Sequence, residues 1–306
     1  QVLWPLLHNQ IPDRPAGGRG ADGKVVPSLW KAYVTINELF AAEVRRTLRQ
    51  GDMVWVHNYH LLLVPAKIRE GSGKAAGPAG IDRSIPANCI ISLFLHTPYP
   101  SPEIWRVMPY RTQLLQGMLA ANVVGFHLFE YARHFMTSCR RLLGLGEKVG
   151  AGPAGGVLSI SLQGRQVTLT VSHVGIDRDV MLHRLRQSGV EQQVQAMRDA
   201  YGLAPPGTKG ARKVIGGLEM LNVLQGAPLK LLAYEELLRS YPMWRARLCL
   251  VQVCMPDPAR PDDSSRLSEE MRATAKRIHD AYGHETLHYL EVGTELKSWG
   301  VNDRLA

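Results

Sequence analysis

The apolar positions Leu29, Tyr33, Ile36, Leu39, Phe40, Val44 and Leu48 recur mostly at three- and four-residue steps between Leu29 and Arg49, one stripe of an amphipathic helix that ends at Gly51. Asp52 to His57 follows as a short, mostly apolar strand, and Leu61 to Arg69 reads as a helix. Cys89 to Leu95 is nearly all apolar, the pattern of a strand buried on both faces of a parallel sheet. A helix over Arg111 to Ala121, a strand over Val123 to Phe126 and a helix over Tyr131 to Leu143 continue the alternation. Strand, helix and strand in this order predict right-handed crossover units in an α/β, doubly wound sheet.

Farther along, Ser159 to Leu162 and Val167 to Val171 alternate in the manner of a hairpin, and a polar helical run reaches from Asp177 to about Tyr201. The stretch Pro205 to Gly210 marks a boundary. A second alternating unit follows: strand Val214 to Gly216, a loop to Gly226, helix Pro228 to Ser240, strand Leu248 to Val253 and helix Ser268 to Ala281. The expected division is a first Rossmann-like domain over 1–185, a linker region over 186–212, and an incomplete second Rossmann-like domain over 213–306. Three segments rich in Gly, Ala and Pro and short of apolar anchors (16–23, 71–80 and 150–156) read as solvent loops or insertions; the sharper alternative, a glycine-rich phosphate cradle, would need a clean strand before and a helix after, which none has.

Composition narrows the class. The 306 residues are 45% hydrophobic and carry 36 Lys+Arg against 27 Asp+Glu, a formal charge of +9. That excludes disorder and leaves room for two cores of ordinary size. The basic residues are scattered, with only short pairs such as Arg45-Arg46 and Arg140-Arg141, so no nucleic-acid surface is expected. No apolar run approaches the roughly 18 residues of a membrane span, and four cysteines make no disulfide framework. A soluble, cytoplasmic protein is expected. Gln1-Val2-Leu3-Trp4 opens directly in core-like sequence, as a piece of something longer would.

In doubly wound folds, ligands sit beyond the carboxyl ends of the strands, and two such units place a cleft between them. His57-Asn58-Tyr59-His60 follows the first strand and His96-Thr97-Pro98-Tyr99-Pro100 the second, two polar clusters at successive strand ends. The His57-x-x-His60 pair lacks a third ligand at fixed spacing, so neither a metal nor a cofactor is expected. Cys249 and Cys254 straddle an apolar strand five residues apart, which puts two buried free thiols on opposite faces.

The strings Leu3-Trp4-Pro5-Leu6-Leu7-His8, Val54-Trp55-Val56-His57-Asn58-Tyr59-His60-Leu61, Phe94-Leu95-His96-Thr97-Pro98-Tyr99-Pro100-Ser101-Pro102-Glu103-Ile104, Gly125-Phe126-His127, Tyr131-Ala132-Arg133-His134-Phe135 and Gly175-Ile176-Asp177 together resemble the trehalose-6-phosphate synthases, in the same order over nearly the whole chain. The resemblance implies the two-Rossmann glycosyltransferase architecture (GT-B type). It also implies retaining transfer of glucose from UDP-glucose to glucose 6-phosphate without a metal. It implies most of an acceptor-binding half and the start of a donor-binding half. The family's opening glycine-rich strand would precede Gln1, and its Asp-Gly-Met-Asn-Leu donor segment would follow Ala306.

Carried over by position, Trp30 is similar to the acceptor-side tryptophan, and His96 to the histidine that contacts the donor sugar and supports developing charge. Asn9 stands where the family has a tyrosine, and Asn58 where it has the aspartate of His-Asp-Tyr-His, keeping the size and losing the charge. The largest departure is Gly217-Leu218-Glu219-Met220-Leu221-Asn222-Val223-Leu224-Gln225-Gly226. It aligns with Gly-Val-Asp-Arg-Leu-Asp-Tyr-x-Lys-Gly, so that Met220 replaces an arginine and Gln225 a lysine. Without a metal, a departing UDP depends on fixed cations, backbone N–H groups and a helix N-terminus. The expectation is therefore a synthase-like domain with a degraded donor site, a pseudoenzyme that is regulatory or binds sugar phosphate. The alternative is an active synthase in which Arg212, Lys213 or Lys230, the nearest cations in sequence, serve the diphosphate. A protein partner or an oligomer is left open.

Overall fold

The computed structural model describes residues 3–10, 27–70, 86, 88–145, 147–152, 155–162, 164–205 and 207–291. The glycine-rich segments 16–23 and 71–80 lie outside the described residues. The chain divides into two compact units, 1–176 and 177–306.

The first unit runs α1 (Leu3–Leu7), α2 (Pro27–Thr47), β1 (Met53–His57), α3 (Val64–Glu70), β2 (Ile90–Leu95), α4 (Pro102–Val107), α5 (Arg111–Leu119), β3 (Val123–Phe126), α6 (Phe129–Leu143), β4 (Glu147–Gly152), β5 (Gly155–Leu162) and β6 (Arg165–Val171). Its sheet has the order β1-β2-β3-β6-β5-β4. The first four strands are parallel, and the last two pairings, β6 with β5 and β5 with β4, are antiparallel. The hairpin of β5 and β6 is as expected, but the described residues of 150–156 pair as strands: Gly150 with Val157, and Gly152 with Gly155. A ladder is built from backbone N–H and C=O groups, so a run without apolar anchors can still pair.

Val56, Ile91, Leu93, Leu95, Val124, Phe126, Val167 and Leu169 line one face of this sheet and join the buried core with side chains from the helices. The other face of β2 is covered in part: Phe94 is buried at 7% while Ile90 is 41% exposed, and on the neighbouring β1 Met53 is 67% and Trp55 61% exposed. The stripe on α2 also differs from the periodic reading. Leu29, Ile36, Leu39 and Phe40 are exposed, while Asn37 and Ala41 are buried. Hydrogen bonds decide the rotation of this helix. The Asn37 side chain donates to the carbonyls of Tyr33 (2.8 Å) and His60 (3.1 Å) and accepts from the Leu63 amide (3.1 Å). Those bonds fix one face of α2 on the turn before α3, whatever the apolar count elsewhere.

The second unit runs α7 (Arg178–Leu185), α8 (Val190–Ala200), β7 (Lys213–Leu221), α9 (Ala227–Ser240), β8 (Leu248–Pro256), α10 (Pro261–Tyr282) and β9 (Leu287–Glu291), with parallel strands in the order β7-β8-β9. Both faces of its sheet carry packed side chains, although most of β7 stays exposed, with Leu218 at 58%. Leu231, Tyr234 and Leu238 of α9 and Leu267, Met271 and Ile278 of α10 pack with Leu221, Leu250 and Cys254 on one face. On the other, Met197 of α8 packs with Tyr201 and Leu203 against Cys249, Val251 and Leu290. Cys249 and Cys254 therefore do lie on opposite faces as buried free thiols, and burial pushes both up to about 11. Residues 190–200, within the stretch expected as linker, form a helix that packs on this sheet, and the contact boundary falls before Asp177. β7 is longer than Val214 to Gly216, because it pairs with β8 from Lys213–Leu248 through Leu221–Pro256. Among the described residues no helix is long and apolar enough to cross a membrane.

Candidate functional site

In the first unit, each of the four parallel strands delivers a histidine at or just past its carboxyl end: His57 closes β1, His96 follows β2, His127 follows β3, and His173 lies just past β6. Parallel register brings them side by side, because His57 pairs with Phe94 and Phe94 with Gly125. Neighbouring ring centroids are 5.2, 5.5 and 5.7 Å apart. Nδ1 of His57 lies 2.9 Å from Nε2 of His96. Burial, then the neighbouring His57 and His127, hold His96 below its ordinary value, which favours the neutral ring at neutral pH. Nδ1 of His127 is buried without a hydrogen-bond partner among the described residues. A row of imidazoles presents ring nitrogens that can donate to or accept from hydroxyl groups, as a sugar requires.

Beyond His57 the chain turns at Asn58, whose φ of 68° is positive and whose side chain accepts from the Tyr59 amide (3.0 Å). Tyr59 and His60 then face a cavity of about 560 Å³ lined also by Trp30, Tyr33 and Tyr110. Trp30 is stacked between two tyrosines, at 4.0 Å and 6° to Tyr110 and at 5.7 Å to Tyr33. The Tyr33 hydroxyl donates to the Tyr59 carbonyl (2.7 Å) and accepts from the Leu62 amide (3.2 Å), and burial pushes the phenol well up. Asn9 occupies a left-handed position (φ 58°) on the turn after α1, whose Leu3 lines the same cavity. Trp30, Asn58 and His96 are thus joined through Tyr59 and His57. His57 and His60 are not brought together as a metal pair: one meets His96, the other faces the Trp30 cavity. Among the described residues no group of three or more His, Cys, Asp or Glu is arranged to hold a metal.

In the second unit, Met220 stands near the end of β7, opposite Met255 of β8. The turn to α9 is shaped by Asn222, whose Oδ1 accepts from the Leu224 and Gln225 amides (3.1 and 3.2 Å) and whose Nδ2 donates to Asp257 (3.3 Å). Gln225 is exposed, and Gly226 caps α9 at φ 70°, so the positive end of the helix begins here. Gly217 lies farther back, beneath Gln252 and Lys230. A Cβ there would come within 2.2 Å of Gln252 Oε1 and 2.8 Å of Lys230 Nζ. Lys230 is ion-paired with Glu219, which also accepts from Gln252.

The other two cations named from the sequence lie at the opposite end of β7. Arg212 donates to the carbonyls of Arg245 (2.8 Å) and Leu248 (3.1 Å), and Lys213 sits over the Trp244 ring. Arg260, at the carboxyl end of β8, is paired with Asp263 at 2.9 Å. His173, Tyr110 and the network of Glu219 with Lys230 were not read from sequence. The available signal for His173 was a histidine at or just past the carboxyl end of each parallel strand of the first unit.

Two α/β units with parallel strands and polar clusters at strand carboxyl ends are the build of the two-Rossmann glycosyltransferases. The chain belongs to glycosyltransferase family 20, whose profile matches residues 1–294. It is 34% identical over 284 residues to α,α-trehalose-phosphate synthase (UDP-forming) 5 of Arabidopsis thaliana, covering 92% of this chain and 30% of that protein. Among solved structures, the N-terminal domain of Candida albicans trehalose-6-phosphate phosphatase matches with a TM-score of 0.74 and 30% identity, over 95% of this chain and 54% of that one. An Escherichia coli structure described as trehalose-6-phosphate bound with UDP-2-fluoro glucose shares the fold, with a TM-score of 0.73 and 23% identity, over 95% and 56% of the two chains. The chain spans about a third of the first relative and about half of these structures. It is a trehalose-phosphate synthase-like domain.

Proposed function

We propose that this domain keeps the acceptor-side surface of its family and has lost the donor-diphosphate site, so that it binds a sugar phosphate of the glucose 6-phosphate kind and does not transfer glucose from UDP-glucose. The observation that carries this reading is the carboxyl end of β7. By the resemblance, Met220 and Gln225 stand where the family has two cations, and the three nearest cations in sequence have other partners: Lys230 is paired with Glu219 beside Met220, while Arg212, on backbone carbonyls, and Lys213, over Trp244, lie at the far end of β7. A neutral thioether offers nothing to a phosphate oxygen, and losing one preorganised donor costs about 3 kcal/mol in the transition state. Two such losses amount to about 6 kcal/mol if additive, roughly 10⁴-fold in rate. The similarity to the N-terminal domain of a phosphatase is compatible with a member of this fold that serves without transferring glucose.

Calorimetric titration of UDP and UDP-glucose into the longest chain that can be produced tests this. Weak or absent binding is expected for the wild type, with a gain in the Met220→Arg, Gln225→Lys double variant. Micromolar binding by the wild type would revive the reading as an active synthase. On the acceptor side, glucose 6-phosphate is expected to raise the melting temperature by ligand linkage and Trp30→Ala to remove the shift; no shift at millimolar ligand would leave the fold as a scaffold.

A further inference from the structure

The contact between His57 and His96 constrains more than their spacing. Two imidazole nitrogens 2.9 Å apart share a single proton. A neutral ring carries one N–H, so the ring that donates in this bond fixes which nitrogen of the other is bare. We propose that His57 is a positioning residue, fixing the tautomer and orientation of His96 and leaving Nδ1 of His96 as the nitrogen available to a sugar hydroxyl. The inference rests on the reading of His96 as the sugar-facing group.

Three features make this bond a property of the fold and not of two mobile side chains. His57 is paired in register with Phe94, two residues before His96, and the amide after it, Asn58 N, donates to the Phe94 carbonyl at 2.7 Å. The His57 ring is braced by Trp55 on the same face of β1, with centroids 4.8 Å apart. The His96 ring meets Phe94 at 4.8 Å and His127 at 5.5 Å. The titratable groups facing His96 are His57 from β1 and His127 from the end of β3, with His173 beyond it from β6. Protonating both partners of the short contact would set N–H against N–H.

Long-range proton–nitrogen correlation spectra of the full chain labelled with ¹⁵N-histidine, without ligand at pH 7.5, read the tautomer directly, with His96 assigned through the His96→Gln spectrum. In the wild type, His96 is expected in one dominant tautomer. The bias is expected to be lost in His57→Phe, which keeps a ring and removes both nitrogens, and in His57→Asn, which is too short to reach. It is expected to return in His57→Gln, whose amide can both donate and accept. A wild-type His96 that averages between tautomers would overturn the proposal, even if His57→Phe does not fold. So would a folded Phe or Asn variant with the wild-type bias. Because no sugar is present, this result is independent of the calorimetry. A biased His96 in a chain that binds neither UDP-glucose nor glucose 6-phosphate would refute the sugar-binding reading and leave the positioning role standing.

Discussion

His288 carries a side-chain nitrogen that folding takes out of water without replacing its hydrogen bond. Its ring stacks on Tyr201 with centroids 4.2 Å apart, and its Nε2 is buried with no partner among the described residues. Burial first, then His279 and Arg212, hold its pKa below the ordinary 6.5. The folded ring therefore binds a proton less readily than the unfolded one. The stability present above pH 6.5 is lost as pH falls through the lower, folded value. His60 and His96 are shifted in the same direction, each by burial first, and add to the slope. The melting temperature is expected to drop between pH 7.5 and 5.5, and His288→Phe, which keeps the stack and removes the orphaned nitrogen, is expected to flatten that drop. An unchanged slope in the variant would remove His288 from the account. Asn58 and Asn9 illustrate a different economy at the same scale: each stands at a positive φ, which asparagine tolerates better than most side chains.

At the scale of elements, α2 separates what periodicity can read from what it cannot. The helix exists where the three- and four-residue steps place it, yet the face it buries is set by Asn37, which is fully buried and bonded to two carbonyls and an amide. Asn37→Leu is expected to cost about 2 kcal/mol in chemical denaturation, because it strands the buried Leu63 amide and takes a donor from the His60 carbonyl. Leu39→Glu on the outward face is expected to change stability by no more than about 0.5 kcal/mol. The reverse ranking would restore the apolar stripe as the packed face. In the second unit, the length of β7 was legible only once β8 was beside it. Gly216, Gly217 and Glu219 are poor strand formers, and the full-length pairing overrides that local preference.

At the scale of the whole molecule, the two units carry separate cores: no residue of the first unit's core appears in the clusters of the second. Gly117 is closely packed in the first, since a Cβ there would lie 2.5 Å from the Leu62 carbonyl oxygen and 2.9 Å from the Leu63 side chain. Gly117→Ala is expected to destabilise by about 2 kcal/mol through overpacking. Leu231→Ala, in the second core, is expected to cost about 3 kcal/mol through the cavity it leaves. Hydrogen exchange should show each loss of protection confined to the variant's own unit. Loss spreading through both units from either variant would mean that they unfold as one.

The sequence by itself determined the alternation of strands and helices, the family, and the two histidine clusters at strand ends, because these depend on local periodicity and on strings that only one family combines. The place of His96 just past the end of β2 was legible for the same reason. Tertiary structure alone decided which nitrogens and rings meet. His173 became part of a row only when β6 paired with β3, and Tyr110 a neighbour of Trp30 only when the start of α5 came against α2. Lys230, a candidate replacement cation by sequence, proved to be held by Glu219 across the space that Gly217 leaves open. Sequence spacing fixes positions along an element, while charge pairing and ring contacts depend on distances between elements, which the chain order does not contain.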